Sequence, residues 1–184
     1  MKFILFAGTW YRGDHYEKIW NNLVLALKER YPGATFVYKH AWYQPWDIEK
    51  IQSLGDKAVL EEDTGEDIVL LGHSMGGVNA CGIAGQFKKS RVRGVVTIFS
   101  PHTMGGWLLP FLNFARMVYP NVPAPRAPII SFGGWFDPLV WFFFARHPNA
   151  VRHVNVLSDH HYMLGLNRGV ASSIAETVCD VIYP

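Results

Sequence analysis

A serine between two glycines is the feature of this sequence that most directly suggests chemistry. Ser74 lies in Gly72-His73-Ser74-Met75-Gly76, which has the pattern Gly-x-Ser-x-Gly. Glycines at the flanking positions let neighbouring backbone approach a sharp turn without clashing Cβ atoms, and such a turn exposes the serine hydroxyl for nucleophilic attack. The pattern also fits a serine that only caps the start of a helix. The motif by itself therefore leaves both interpretations open.

The segments on either side of this motif favour the catalytic interpretation. The apolar run Ile68–Leu71 (IVLL) is typical of a buried strand, and Met75–Phe87 is a helical segment rich in small residues. A nucleophilic serine of this type requires a strand, a tight turn and a helix in direct succession. The sequence thus predicts that Ser74 is a nucleophile at a strand–helix turn.

Strand and helix patterns alternate along the whole chain. The predicted strands are Lys2–Ala7, Ala34–Tyr38, Glu66–Ser74, Val92–Phe99, Ile129–Phe132 and Val151–Leu157. The predicted helices are Asp14–Arg30, Ile48–Leu60, Met75–Phe87 and Val170–Ile182. Strands joined by helical crossovers predict an α/β fold, a three-layer α/β/α sandwich with about six mostly parallel strands. In such folds, the loops at the carboxyl ends of the strands carry function.

A serine nucleophile needs a base that removes its proton and an acid that orients the base. In chains with this turn, the acid and then a histidine follow the serine along the sequence. Asp137 follows the fifth predicted strand, and His160 and His161 follow the sixth. Asp159 is a rival acid, but adjacent residues in an extended loop tend to point apart. We therefore expect Asp137 to be the acid and one of the two histidines to be the base.

The chain resembles the α/β-hydrolase superfamily, and in particular its small lidless bacterial lipases and esterases. The segments that carry the resemblance are FILFAGTW, GHSMGGVN, RVRGVVTIFSPH, GGWFDPLV and SDHHYMLGLNRGV. The resemblance implies a minimal hydrolase fold with little or no lid, so that Thr103–Pro125 would form at most a small flap. It also implies a serine hydrolase that uses an acyl-enzyme and needs no cofactor.

The resemblance helps to distinguish the two adjacent histidines. In the family, the catalytic histidine is typically followed two or three residues later by an apolar pair, a register that His161 fits better than His160. Asp137 occupies the family's position for the acid. The resemblance therefore implies a catalytic triad of Ser74, Asp137 and His161.

The same resemblance implies an oxyanion hole made of two backbone N–H groups. One belongs to Met75, the residue after the serine, and the other is assigned to Thr9, with Trp10 as the alternative. Relatives often carry a histidine before the second donor, whereas this chain has Ala7-Gly8-Thr9. That histidine is not itself the donor, so we expect the oxyanion hole to be preserved.

Aromatic residues are concentrated in the predicted loops around the site, where charged residues are sparse. The candidates for substrate contact are Trp10, Trp42, Trp107 and Trp135. Such side chains suit an acyl chain, although some of these rings could complete the core. We expect a small-molecule or lipid-like ester as substrate. A thioesterase, an acyltransferase, an amidase and a non-catalytic binding protein of the same fold are the alternatives.

Composition and charge exclude several other classes of protein. The 184 residues are 49% hydrophobic and 17% charged, with a net charge of +2, which suits one globular domain over residues 1–184. Because the longest basic run is Lys88-Lys89, nucleic acid is not an expected partner. The first segment, MKFILFAG, has too few apolar residues for a signal peptide. No apolar run in the sequence is long enough to span a membrane. We therefore expect a cytoplasmic protein, with release by cell lysis as the alternative.

The cysteines and the remaining histidines form no recognisable metal motif. CxxC and HExxH are absent, so no metal is expected. Cys81 and Cys179 lie at apolar positions of predicted helices and are expected to be buried thiols. His73 is expected to be structural. A surface or capping role is the expectation for His15, His40, His102, His147 and His153, with a position at the pocket border as the alternative for His102.

Overall fold

The described part of the chain contains six strands and four helices, which alternate as far as the fourth strand. The computed structural model describes residues 1–8, 15–39, 47–62, 65–86, 91–102, 124–140, 144–158 and 167–183. The strands are β1 (Lys2–Phe6), β2 (Thr35–Lys39), β3 (Ile68–His73), β4 (Val92–Ile98), β5 (Ile129–Gly134) and β6 (Ala150–Val156). The helices are α1 (His15–Arg30), α2 (Ile48–Glu62), α3 (Met75–Gln86) and α4 (Arg168–Ile182).

The strands form one sheet in the order β2-β1-β3-β4-β5-β6, and every neighbouring pair is parallel. The chain moves outward from β1 to β2, returns to β3 on the other side of β1, and then continues in one direction. The direction of the strand order therefore reverses between β1 and β3. Ligands of open α/β sheets bind at the carboxyl ends of the strands beside such a reversal. Gly8 and Ser74 lie just beyond β1 and β3 at this position.

Apolar side chains of the strands alternate between the two faces of the sheet. Phe3 and Leu5 of β1 pack in a core with residues of α1 and α4. Ile4 and Phe6 of the same strand pack in a second core with residues of α3. Because successive side chains of a strand point to opposite faces, both faces must be covered. The predicted three-layer α/β/α sandwich is confirmed.

Two asparagines secure the helices that cover the sheet. The buried side chain of Asn79 in α3 donates from Nδ2 to the backbone carbonyl of Ile51 in α2, at 3.0 Å. Asn167 caps α4, because its Oδ1 accepts a hydrogen bond from the backbone N–H of Val170 at 3.1 Å. This cap explains why α4 begins at Arg168, ahead of the predicted start at Val170.

Strand β5 extends past its predicted end at Phe132. Gly133 and Gly134 continue the strand and pair with Asn155 and Val156 of β6. Glycine has a weak preference for strands, so only the pairing with β6 reveals this extension. The segment for which a small flap is predicted, Thr103–Pro125, lies almost wholly outside the described residues, and the flap stays a prediction.

None of the helices in the described ranges combines the length and apolar character that a membrane crossing requires.

Candidate active site

Ser74 lies in the turn between β3 and α3 with an unusual backbone conformation. Its φ angle is 53°, in the left-handed region where a residue other than glycine costs on the order of 1–3 kcal/mol. The Ser74 N–H donates to the carbonyl of Ile98 at the end of β4, at 2.9 Å. The Ser74 carbonyl accepts from the N–H of Gly77, at 3.0 Å. The turn is thus held by the neighbouring strand and by the first turn of α3.

The glycines of the Gly-x-Ser-x-Gly motif lie where backbone segments meet. A Cβ atom added to Gly72 would lie 2.2 Å from the carbonyl oxygen of Gly76, and one added to Gly76 would lie 2.2 Å from the carbonyl oxygen of Phe6. Cβ atoms in proteins essentially never approach heavy atoms closer than 3.0 Å. Both glycines are therefore required by the close contact among β1, β3 and α3.

Gly8, the second residue after β1, lies against the serine side chain. A Cβ atom added to Gly8 would lie 2.8 Å from Cβ of Ser74 and 3.3 Å from its Oγ. Met75, one predicted oxyanion donor, is buried and begins α3, where the first backbone N–H groups of a helix lack partners within the helix. Thr9 and Trp10, the candidates for the second donor, lie outside the described residues.

Asp137 follows β5 and is buried, with 4% of its surface exposed. Its Oδ1 accepts hydrogen bonds from the backbone N–H groups of Leu139, at 2.8 Å, and Val140, at 2.9 Å. Its own N–H donates to the carbonyl of Gly134 at 3.3 Å. Burial of a carboxylate is costly unless hydrogen bonds compensate for it. These bonds fix the orientation of the carboxyl group.

The loop that contains Asp137 packs against the end of β6. The N–H of Phe136 donates to the carbonyl of Ser158 at 3.4 Å, and a Cβ atom added to Gly134 would lie 2.5 Å from the same oxygen. The loop that contains Asp137 is thus in contact with Ser158, which directly precedes residues 159–161 in the sequence. Asp159, His160 and His161 themselves lie outside the described residues, so the identity of the base stays a prediction.

Exposed apolar side chains follow both β5 and β6. Trp135 is 49% exposed, Phe136 is 71% exposed and Leu157 is 72% exposed. Trp135 precedes Asp137 by two positions and is the one predicted substrate-contact residue in the described part of the chain. The other three, Trp10, Trp42 and Trp107, lie outside it.

Among the histidines within the described ranges, His102 is more buried than predicted. The expectation of a surface role is wrong for His102, which is only 3% exposed. His153 pairs through Nδ1 with Ser131 Oγ at 2.8 Å and through Nε2 with Asn155 Oδ1 at 2.9 Å. His73, the residue before the serine, is buried, and its ring packs edge-on against the ring of Phe99 with the two ring centroids 6.4 Å apart. The His15 side chain and His40 lie outside what the structure describes.

Sequence reasoning missed one group of potential metal ligands. Sγ of Cys81 and one ring nitrogen each of His102 and His147 all lie within 4.8 Å of one another. Cys81 is buried as predicted, whereas Cys179 is only half-buried, so the prediction for the second thiol is wrong. The three ligands come from separate segments of the chain, and their spacing in the sequence therefore has no recognisable pattern.

Comparisons with known proteins match nearly the whole chain to one family. A model of the alpha/beta hydrolase family matches residues 3–179. No sequence among the curated proteins matches the chain.

Several solved structures share the fold. A protein assigned to the alpha/beta hydrolase superfamily from Xanthomonas campestris pv. campestris is 22% identical, with 97% of this chain and 98% of that chain covered and a TM-score of 0.58. A YdeN-like protein from Pectobacterium atrosepticum is 18% identical, with 98% and 89% covered and a TM-score of 0.63. The metagenomic carboxyl esterase MGS0156 is 13% identical, with 96% and 74% covered and a TM-score of 0.69. At these identities the similarity establishes the fold alone.

Proposed function

The chain belongs to the alpha/beta hydrolase family, and on this premise we propose that it is a serine hydrolase that cleaves carboxylic esters through Ser74, His161 and Asp137. The observation that carries the proposal is the left-handed backbone of Ser74, with φ at 53°, in the turn between β3 and α3. A strained residue of this kind persists only where its surroundings enforce it, and such residues cluster at functional sites. Here the backbone on both sides of Ser74 is held in place, because Gly72 and Gly76 are in close contact with neighbouring backbone atoms.

The sheet order supports the pairing of this serine with Asp137. Ser74 follows β3 and Asp137 follows β5, and β4 separates the two strands. Strands lie about 4.8 Å apart, so the two strand ends are separated by roughly 10 Å. That gap is suitable for an imidazole hydrogen-bonded to both side chains. The chain beyond β6 adjoins the Asp137 loop through Ser158, and His161 follows Ser158 by three positions.

The proposed mechanism assigns one role to each group. His161 removes the proton from Ser74 as Oγ attacks the ester carbonyl carbon, and Asp137 orients the imidazole and stabilises its cation. The N–H groups of Met75 and Thr9 donate to the developing oxyanion, and each such donor is worth about 10²–10³ in rate. The imidazolium then protonates the leaving alcohol. Water, deprotonated by the same histidine, hydrolyses the acyl-enzyme and regenerates the serine.

The apolar surface beside Asp137 supports an ester with an apolar acyl group. Trp135 and Phe136, the two residues before Asp137 in the sequence, are exposed, and apolar walls with few polar groups are typical of small-molecule sites. A series of p-nitrophenyl esters from acetate to decanoate, compared with matched acyl-thioesters and anilides, tests this assignment. We expect the highest kcat/KM for an ester with a medium-length chain. A higher kcat/KM for the thioesters would assign the protein as a thioesterase instead of an esterase. A higher kcat/KM for the anilides would assign it as an amidase.

Substitution of each adjacent histidine separately should identify the base. His161→Ala is expected to lower kcat for ester hydrolysis by about 10⁴-fold or more, because the serine then lacks its proton acceptor. His160→Ala is the matched control and should retain kcat within about tenfold of the unsubstituted enzyme. The reverse pattern would assign the base to His160.

Asp137→Asn should separate catalysis from folding. The asparagine Oδ1 can still accept the hydrogen bonds from Leu139 and Val140, so we expect the free energy of unfolding to change little. We expect kcat to fall by about 10⁴-fold, because an amide can neither stabilise the imidazolium nor hold the required tautomer. Steady-state kinetics and urea unfolding measure the two effects. Unchanged kcat in a folded variant would exclude Asp137 as the acid.

A further inference from the structure

Three residues outside the proposed triad meet beside helix α3. Cys81 lies in α3, His102 follows β4, and His147 precedes β6. Sγ of the cysteine and one nitrogen of each imidazole all lie within 4.8 Å of one another. The two rings pack edge to face, with centroids 4.8 Å apart and an interplanar angle of 79°. This group, the Cys81 cluster, has no role in the proposed hydrolysis.

His102 is the feature of the Cys81 cluster that most needs an explanation. Its side chain is only 3% exposed, and neither Nδ1 nor Nε2 has a hydrogen-bond partner among the described residues. A buried polar group without a partner costs about 1–3 kcal/mol. The backbone N–H of His102 donates to the carbonyls of Ser100 at 2.9 Å and Phe144 at 3.1 Å, so the residue is anchored where it is. A bound ligand would supply the missing partner.

Burial favours the neutral form of both imidazoles of the Cys81 cluster. Burial lowers the pKa of His102 well below its ordinary value, and the proximity of His147 and His153 lowers it further. Burial lowers the pKa of His147 to about 4. A neutral imidazole has a lone pair available for a cation, so neither ring must lose a net proton at neutral pH to become a ligand.

We propose that Cys81, His102 and His147 bind a Zn²⁺ ion. Thiolate and imidazole are the ligands that Zn²⁺ prefers, with Zn–S near 2.3 Å and Zn–N near 2.0–2.1 Å. A tetrahedral ion with these bond lengths brings ligand atoms to about 3.5 Å from one another, so the cluster must contract by roughly 1 Å. His147 is half-buried, which gives it room to move and leaves a path for the ion. Water completes the coordination.

Binding requires the loss of one thiol proton and, for coordination through Nε2 of His147, a change of tautomer. Burial raises the pKa of the Cys81 thiol, so the thiol keeps its proton until the ion binds, and the proton leaves to solvent as the S–H bond is replaced by an S–Zn bond. Nδ1 of His147 accepts a hydrogen bond from the backbone N–H of Asn149 at 3.1 Å, so the ring proton is on Nε2. Coordination through Nε2 moves that proton to Nδ1, whereas coordination through Nδ1 displaces the hydrogen bond. Asn149 is exposed, and its N–H can bond to water in either case.

The ion would lie apart from the proposed reaction centre. Cys81 follows Ser74 by seven positions, which corresponds to about 10 Å along a helix. At that distance the ion cannot contact an ester bound at Ser74. It would instead tie α3 to the segments that follow β4 and precede β6. The zinc site is thus independent of the proposed esterase function, and either can be disproved without the other.

Metal titration of the purified full chain tests the site. After treatment with a chelator and its removal, Zn²⁺ at about 100 times its Kd should raise Tm by about 5–10 °C. Co²⁺ in place of Zn²⁺ should produce a near-ultraviolet thiolate-to-cobalt absorption band and the visible bands of a tetrahedral ion. No rise in Tm and no thiolate band would overturn the proposal.

Substitution of the two cysteines provides the matched comparison. Cys81→Ser should abolish the cobalt–thiolate band and the zinc-dependent rise in Tm, whereas Cys179→Ser should retain both. A Cys81→Ser variant that retains the band would overturn the proposal. Should that variant fail to fold, thiol alkylation of the unsubstituted protein decides: Zn²⁺ should slow modification of Cys81 and leave that of Cys179 unchanged. Equal rates at Cys81 with and without Zn²⁺ would also overturn it.

Discussion

Replacement of Ser74 by alanine is expected to lower kcat for ester hydrolysis by about 10⁶-fold, because the variant has no nucleophile to form the acyl-enzyme. The fold should persist. Ser74 is held through its backbone, by the N–H bond to Ile98 and the carbonyl bond from Gly77, and alanine keeps both of these groups. Steady-state kinetics with a p-nitrophenyl ester measure the loss. Far-ultraviolet circular dichroism measures retention of the fold.

Ser53→Ala is the matched control for this substitution. Ser53 is an exposed serine of α2 whose Oγ donates to the carbonyl of Lys50 at 3.1 Å, and it is remote in sequence from every proposed catalytic residue. We expect kcat of the control to equal that of the unsubstituted enzyme. A Ser74→Ala variant that retains more than a tenth of the activity would exclude Ser74 as the nucleophile.

Ser74→Gly should separate the chemistry of this position from its backbone strain. Glycine adopts a positive φ without a Cβ penalty, so this variant is expected to be more stable than Ser74→Ala by about 1 kcal/mol. It should be equally inactive. Such a result would mean that the chain keeps serine at a cost in stability, which is the usual relation between stability and activity at a catalytic position.

Gly76→Ala is expected to have a large effect on stability. The added Cβ would lie 2.2 Å from the carbonyl oxygen of Phe6 and 2.5 Å from that of Ala7. Both are backbone atoms at or just past the end of β1, an interior strand of the sheet, and a backbone atom cannot rotate away as a side chain can. We expect the free energy of unfolding to fall by more than about 3 kcal/mol, or the variant not to fold.

Gly33→Ala is the control for the glycine substitution. A Cβ atom on Gly33 would have no heavy atom within 4 Å, and we expect its effect on stability to stay within about 0.5 kcal/mol. Urea unfolding of both variants, with one m-value used for both curves, measures the difference in their free energies of unfolding. Equal stability of the two variants would mean that β1 and α3 are not in close contact at Gly76.

Local patterns in the sequence were sufficient to predict the sheet. Because helices cover both of its faces, its buried strands are apolar at successive positions and are easily recognised. Ile68–Leu71 is apolar at every position, as expected of a strand that packs against helices on both sides. The end of β5 was less predictable. Gly133 and Gly134 have a weak strand preference, and only their pairing with β6, a contact distant in sequence, makes them part of the strand.

The surroundings of individual polar side chains were the least predictable feature. The burial of His102 depends on α3 and on the segment around Phe144, which meet it only in the folded protein. The half-exposure of Cys179 likewise depends on how the end of α4 packs. The order Ser74, Asp137, His161 could be proposed from sequence because each residue lies at the end of a predicted strand or within five positions after it, and strand ends are recognisable without knowledge of distant contacts.

The central claim is that Ser74 is the activated nucleophile of this chain, and covalent labelling tests it most directly. A fluorophosphonate reacts with a serine only when a base and an oxyanion hole activate the hydroxyl. Incubation of the full chain with such a reagent, followed by proteolysis and mass spectrometry, should give a single adduct on the peptide that contains Ser74, and none in Ser74→Ala. An adduct on a different serine, or no adduct in a folded and unsubstituted protein, would contradict the account.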